Sequence, residues 1–161
     1  MTDKNNSIKQ IIDIRIEKLN KLRELGVEPY PHKYKPSHKS IEILSNFIEF
    51  ENQTVCIAGR IMALRKMGKA SFIQVKDEQG KIQIFIKKDN VGEDVYDAFN
   101  LMDIGDFIGI NGFVFKTKVG EISISAEKFT VLSKSIRPLP IVKEKDGEVY
   151  DAFKDKELRY R

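Results

Sequence analysis

The sequence predicts a mainly β protein with flanking helices: a five-stranded Greek-key barrel with an α-helix between strands three and four, preceded by an N-terminal helical segment. Three observations predict it. Between Gly59 and Lys88 apolar and polar residues alternate with the period of half-buried strands. Ile73 and Val75 alternate with Phe72, Gln74 and Lys76, and then Ile82, Ile84 and Ile86 with Lys81, Gln83, Phe85 and Lys87. Turn residues, Gly68 and the cluster from Asp77 to Gly80, separate these runs. Finally, one stretch of helical spacing, Val91, Val95, Ala98, Phe99 and Met102, stands between the first three strand patterns and two later ones.

Taken in order, residues 1–6 are polar and expected to fray. Ser7, with Gln10 three residues on, reads as the capping box of a helix whose apolar stripe is Ile8, Ile11, Ile12, Leu19 and Leu22 and which ends at Gly26. Its cations, Lys9, Arg15, Lys18, Lys21 and Arg23, are interleaved with Asp13, Glu17 and Glu24 and read as a solvated surface. Pro29-Tyr30-Pro31 forms an extended connector, and Ser40 to Phe50 reads as a short second helix built on Ile41, Leu44 and Ile48. From Thr54 the pattern turns to strand, with Val55, Ile57 and Ile61 on one side and Gly59 where the chain bends or bulges. Asn90 with Glu93 reads as the cap of the plug helix. Strands are then expected from Asp106 to Thr117 and, past the Val119-Gly120 turn, from Glu121 to the region of Leu132. Strand, strand, strand, helix, strand, strand, with a long bent first strand, is the order of the OB-fold, whose central strands and loops bind oligonucleotides. The expected divisions are a helical extension over 1–50, the barrel over 51–135 and a linker over 136–161, which opens at Arg137 with Pro138 and Pro140.

A net charge of +4 over 161 residues says little about partners, but its distribution says more. Residues 60–88 hold eight Lys/Arg against Asp77 and Glu78, whereas residues 89–106 hold six acids and no Lys/Arg. The single cysteine, Cys56, excludes an intrachain disulfide; its place in an apolar strand pattern reads as a buried, inert thiol in a reducing, cytoplasmic setting. No long apolar run suggests a membrane span, and His32 and His38 make no metal-ligand spacing with it.

Side chains alternate sides along a strand, so burying the Ile/Val set turns Phe72, Gln83 and the lysines to the other face. Phe72 is the first candidate for stacking a base, unless a helix or loop covers it. Phe85 shares its parity and is expected under the N-terminal helices. Gln83 offers a donor and an acceptor to a base edge, and Lys69 and Lys81 offer charge to phosphates. With Ile122 and Ile124 inward, Glu121 and Ser123 point outward. A carboxylate repels phosphate, so Glu121 is useful there as an acceptor for a base N–H or as a partner for Arg65; on the residues alone it reads as an ordinary strand-end acid in water.

The motifs Ala58-Gly59-Arg60-Ile61-Met62, Met67-Gly68-Lys69-Ala70-Ser71-Phe72, Asp103-Ile104-Gly105-Asp106-Phe107, Phe115-Lys116-Thr117-Lys118, Gly120-Glu121 and Arg137-Pro138-Leu139-Pro140 follow one another in an order and spacing that resembles the N-terminal anticodon-binding domain of class II lysyl-tRNA synthetases. The likeness runs on to Arg159-Tyr160-Arg161, with Lys66 standing where an apolar residue is common and Ile141 to Phe153 forming a longer linker than usual. The resemblance implies that Phe72 stacks on the central anticodon base, a uridine, and that Arg65, Gln83 and Glu121 contact bases of the anticodon loop of tRNA(Lys). It also implies a homodimeric, cytoplasmic ligase that forms lysyl-adenylate from ATP with Mg2+ in a separate domain. No catalytic or metal-binding motif occurs in these 161 residues, so the chain alone is expected to be inactive, with no cofactor of its own. Two competing readings are a free-standing OB module that binds single strands without preference and a barrel that docks a partner peptide.

Overall fold

The structure, a computed structural model, describes residues 2–139, 143–145 and 148–150. Five strands close into a barrel: β1 (Thr54–Met67), β2 (Ala70–Lys76), β3 (Lys81–Lys87), β4 (Phe107–Lys116) and β5 (Ile122–Ser133), in the order β1-β2-β3-β5-β4. All pairings are antiparallel except β3 with β5, which runs parallel through Gln83↔Ser123, Ile84↔Ile124 and Phe85↔Ser125. The length of β1 makes closure possible. Its first half pairs with β4 and its second half with β2, with a register shift between Ile61 and Ala63 where the strand bends. The bend is thus a few residues past Gly59. That glycine answers a different need: a Cβ there would stand 2.6 Å from both the Lys76 carbonyl oxygen and Val75 Cγ1.

Isoleucine fills the interior. Ile57, Ile61, Ile73, Ile82, Ile84, Ile86, Ile108, Ile110 and Ile124 are all buried, as the period-two pattern requires. The expected plug helix is two pieces, α4 (Lys88–Val91) and α5 (Glu93–Asn100), because Gly92 at φ 92° breaks it and becomes the residue before α5. Asn90 therefore caps nothing in α5. Ala98, Phe99 and Met102 enter the core as read, together with Tyr96, whose hydroxyl bonds to Ser71 Oγ (3.0 Å) and donates to the Gly68 carbonyl (2.8 Å). Lys66, the departure from the apolar residue common there, donates to the Asn100 carbonyl (2.7 Å) and lies over the Phe99 ring. It supplies the cation that α5 lacks in its own last turn.

The preceding segment departs further from its pattern. Helix α1 (Thr2–Glu24) starts before Ser7, since no Pro or Gly in the preceding polar run stops it, and is closed by the turn that follows, where Gly26 takes φ 74°. Only its C-terminal half is held against the barrel: Leu19 and Leu22 are buried, whereas Ile8 and Ile11 are exposed. Two cations read as solvated help to fasten it. Arg15 is buried and donates to the carbonyls of Ser135 (3.0 Å) and Ile104 (3.1 Å), and Lys18 pairs with Asp103 at 2.6 Å. The second helix is also interrupted, into α2 (Ser40–Ser45) and α3 (Phe47–Phe50), by the non-helical backbone of Asn46. In α2 it is Ile43 that is buried while Ile41 is exposed, and past the break Ile48 is 90% exposed. Cys56 is half-buried and faces away from the core, its Sγ 3.2 Å from the Tyr34 hydroxyl. Within the expected linker Arg137 to Leu139 lie in neither helix nor strand, and a short hairpin of β6 (Lys143–Lys145) with β7 (Glu148–Tyr150) follows; the calls on Pro140, Ile141, Phe153 and Arg159-Tyr160-Arg161 lie outside the described residues.

Asp77 ties α2 to the β2–β3 turn. Its carboxylate accepts from Ser40 N (2.6 Å), Ser40 Oγ (2.8 Å), Gln79 N (2.9 Å) and Gly80 N (2.8 Å). Burial opposes its ionisation, but these donors prevail and hold the carboxyl below the usual range. Asp77→Ala is expected to destabilise the fold by about 1–3 kcal/mol in denaturant unfolding at neutral pH. Because the folded-state pKa is depressed, this contribution is present above the ordinary carboxylate range and lost as pH falls through the folded value. Variant and parent should therefore converge in acid; a constant gap across the acid limb would contradict the linkage.

Candidate nucleic-acid interface

The outer face of β1, β2 and β3 carries a grid that the strand registers fix. Arg65 pairs with Phe72 and Phe72 with Phe85; one step along, Ala63 pairs with Gln74 and Gln74 with Gln83, which pairs in turn with Ser123 on β5. The first row is a cation beside two rings and the second a pair of amides. Phe72 and Phe85 lie 5.0 Å apart, tilted by 40°, and Phe115 on β4 meets Phe85 edge-on at 6.3 Å. Phe85 therefore stands in an aromatic row and lines an open groove with Phe72, Phe115 and Lys118, where N-terminal helices were expected to cover it.

Beside that groove is an open cleft of about 390 Å³. Arg65, Phe72, Gln74, Gln83 and Glu121 all line it, and so do Thr117 and Val119 of the β4–β5 loop. Phe72, Thr117 and Val119 border both hollows. The loop is braced at its base: Glu121 N donates to Thr117 Oγ1 (3.0 Å), Thr117 N to the Glu121 carbonyl (2.9 Å), and Gly120 takes φ 90°. Val119 at its tip is 90% exposed. This is the arrangement in which an OB barrel presents strands two and three together with the loop between strands four and five.

Of the sequence-predicted residues, the fold brings four, Arg65, Phe72, Gln83 and Glu121, into one cleft. Lys69 and Lys81 are exposed and lie outside its lining, Lys69 in the β1–β2 turn and Lys81 at the start of β3, opposite Lys76. The anticipated Arg65 to Glu121 pairing is absent among the described residues. Glu121 Oε1 instead accepts from Gln74 Nε2 at 3.4 Å. Ser123, outward by parity, is buried, and its Oγ accepts from Gln83 Nε2 at 3.0 Å. Gln74 is the residue that sequence reasoning passed over, although its outward parity, one residue pair from Phe72, was the available signal. Two roomier hollows, of about 550 and 510 Å³, are lined by none of these cleft residues. The first includes Arg60, stacked 4.5 Å over Phe107.

A closed five-stranded barrel in this strand order has the architecture of an OB domain, and residues 55–132 match the family described as the OB-fold nucleic acid binding domain, tRNA_anti-codon. That stretch belongs to this family, and the chain around it is similar to the corresponding part of lysine–tRNA ligases. The chain is similar, at 46% identity over 98% of its length, to a lysine–tRNA ligase of Pelotomaculum thermopropionicum. A lysine–tRNA ligase of Porphyromonas gingivalis is 50% identical over 92% of the chain, and one of Carboxydothermus hydrogenoformans 45% identical over 98%. The chain spans only 30%, 27% and 31% of the length of these three relatives. No helix among the described residues is long and apolar enough to cross a membrane.

Proposed function

We propose that this chain reads the anticodon stem-loop of tRNA(Lys) and that it serves a lysine–tRNA ligase of which it is the anticodon-binding part. The observation that supports this best is the convergence of Phe72, Gln83, Arg65 and Glu121 on one open cleft. In this reading Phe72 stacks on the central uridine of the anticodon, a contact that tolerates any base, while Gln83, Arg65 and Glu121 supply the polar groups that tell bases apart. Lys69 and Lys81, exposed away from the cleft, act on the phosphates.

The longer protein would attach lysine to tRNA through lysyl-adenylate, using ATP and Mg2+, as a cytoplasmic homodimer. In this reading that chemistry belongs to the rest of the longer protein. The described cleft contributes binding and discrimination.

Titrating the chain with a lysine-type anticodon stem-loop and an unrelated one at several salt concentrations tests the proposal. A clear preference for the first supports it. Equal affinity for both would favour an OB module without sequence preference, and binding that ignores salt would point away from RNA altogether. In the same titration Lys81→Ala should reduce the slope of log affinity against log salt by about 0.7 for either loop and leave their ratio unchanged. A changed ratio would move Lys81 from phosphate to base contact.

A further inference from the structure

We propose that Gln74 reads a base directly, its side-chain carbonyl Oε1 accepting a hydrogen bond from a ring N–H, and that Glu121 acts mainly through it by fixing which way the amide points. The proposal rests on the anticodon-loop reading above and assigns to Glu121 a positioning role.

The chemistry of the partner decides the amide's orientation. Which end of a glutamine amide faces a partner is fixed by the hydrogen bonds that partner can make. An ionised carboxylate has acceptors and no donor, so the end of Gln74 that faces Glu121 Oε1 at 3.4 Å must be its NH2 group. The carbonyl oxygen is then the end left for a ligand in the cleft. The neighbouring amide is set in the same sense. Ser123 Oγ donates to the Glu121 backbone carbonyl at 3.4 Å and so receives Gln83 Nε2 at 3.0 Å with its lone pairs, which again leaves a carbonyl oxygen available. Gln74 and Gln83 are direct cross-strand partners, so the two acceptors are neighbours on one face.

Two acceptors with their donor ends already engaged select a base by its ring nitrogen. Uracil carries a hydrogen on N3 and guanine on N1, and either can donate to a carbonyl. The corresponding ring nitrogens of cytosine and adenine are acceptors and would be set against an acceptor. The site therefore favours uracil or guanine. Without Glu121 the Gln74 amide is free to turn, present NH2 and accept the wrong base.

The test compares the chain and its Gln74→Ala, Gln74→Met and Glu121→Ala variants, each verified as folded by its circular dichroism and melting curve. Each is titrated with a lysine-type stem-loop and with versions in which one uridine at a time becomes N3-methyluridine or cytidine. The parent should lose about tenfold in affinity at the positions it reads. At one of them Gln74→Ala and Gln74→Met should both shrink the penalty to less than about threefold. Glu121→Ala should weaken discrimination at that same position, and the double variant Gln74→Ala with Glu121→Ala should be no worse there than Gln74→Ala alone. If the parent discriminates but Gln74→Ala and Gln74→Met keep every penalty in full, the assignment of Gln74 is overturned while the anticodon reading stands. If Glu121→Ala acts at a different position, or adds its full cost to that of Gln74→Ala, its positioning role is overturned. A parent that penalises no replacement overturns the anticodon reading itself.

Discussion

Lys134→Ala is expected to cost about 3–5 kcal/mol of folding stability, the largest loss of any single substitution considered for this chain. The Lys134 side chain is 0% exposed, with Nζ 2.6 Å from Asp103 Oδ2 and 2.8 Å from Asp106 Oδ2. Asp106 is equally buried; its remaining donors are the backbone N–H groups of Ser135 (2.7 Å) and Asp103 (2.7 Å). Removing the ammonium leaves a carboxylate in the interior without a counter-charge, which is why breaking such a pair costs far more than a surface pair contributes. The same cluster fastens α1 and its connector, since Lys18 binds the other oxygen of Asp103, Arg15 binds Ser135 O, and the Tyr30 hydroxyl donates to Lys134 O at 2.9 Å. Lys18→Ala, which removes only the half-exposed partner, should cost no more than about 1 kcal/mol. Urea unfolding of both variants checks this, and a loss below about 1 kcal/mol for Lys134→Ala would contradict it.

The pH dependence has a definite sign. Burial opposes ionisation of Asp103, but the hydrogen bonds from Lys134 and Lys18 outweigh it and hold its carboxyl below the usual range. Stability from this group is thus present above the ordinary carboxylate range and lost as pH falls through the depressed value. In Lys134→Ala, without the main partner, the acid loss at Asp103 should begin at a higher pH.

Phe72→Ala is expected to weaken binding of a lysine-type stem-loop by about 1–3 kcal/mol, one lost stacking contact. The ring is half-buried and borders both hollows of the interface, with Phe85 beside it at 5.0 Å. Its pairing with Phe85 also contributes to the fold, at the scale of about 0.5–1.5 kcal/mol for an aromatic pair, so binding must be compared in a variant shown to be folded. Phe72→Leu is the sharper substitution, because it retains apolar contact with Phe85 and removes the flat surface on which a base stacks. A folded variant with unchanged affinity would rule out the stack.

The face that carries this chemistry was legible because a strand has period two. Once Ile73, Val75, Ile82, Ile84 and Ile86 are inside, Phe72, Gln74, Gln83 and Phe85 have nowhere to point but out, and the short Asp77 to Gly80 turn leaves little freedom in register. What depended on distant partners was not legible. Arg15 and Lys18 look like ordinary helix-surface cations until Ser135, Ile104 and Asp103 arrive from more than 80 residues away. Helical phase over 40–50 failed in two places: α2 buries Ile43 and not Ile41, and the non-helical Asn46 interrupts the helix before Ile48, which is left exposed. Gly92 divided the plug helix in the same way. The polar partner of Glu121 was missed because proximity across the barrel mouth, between residues 74 and 121, follows from closure and not from any spacing in the chain.

The central claim is that the cleft around Phe72 and Gln83 distinguishes bases and does more than hold a strand. Its most direct test is the affinity of the unaltered chain for a lysine-type anticodon stem-loop against the same loop with the central uridine replaced by cytidine, at one fixed salt concentration. Both RNAs carry the same phosphates and offer a stackable ring, so electrostatics and stacking cancel in the ratio. A preference of tenfold or more for the uridine loop is the expected result, in keeping with about 1–3 kcal/mol for a mismatched base contact. Equal affinity for the two loops would contradict the account.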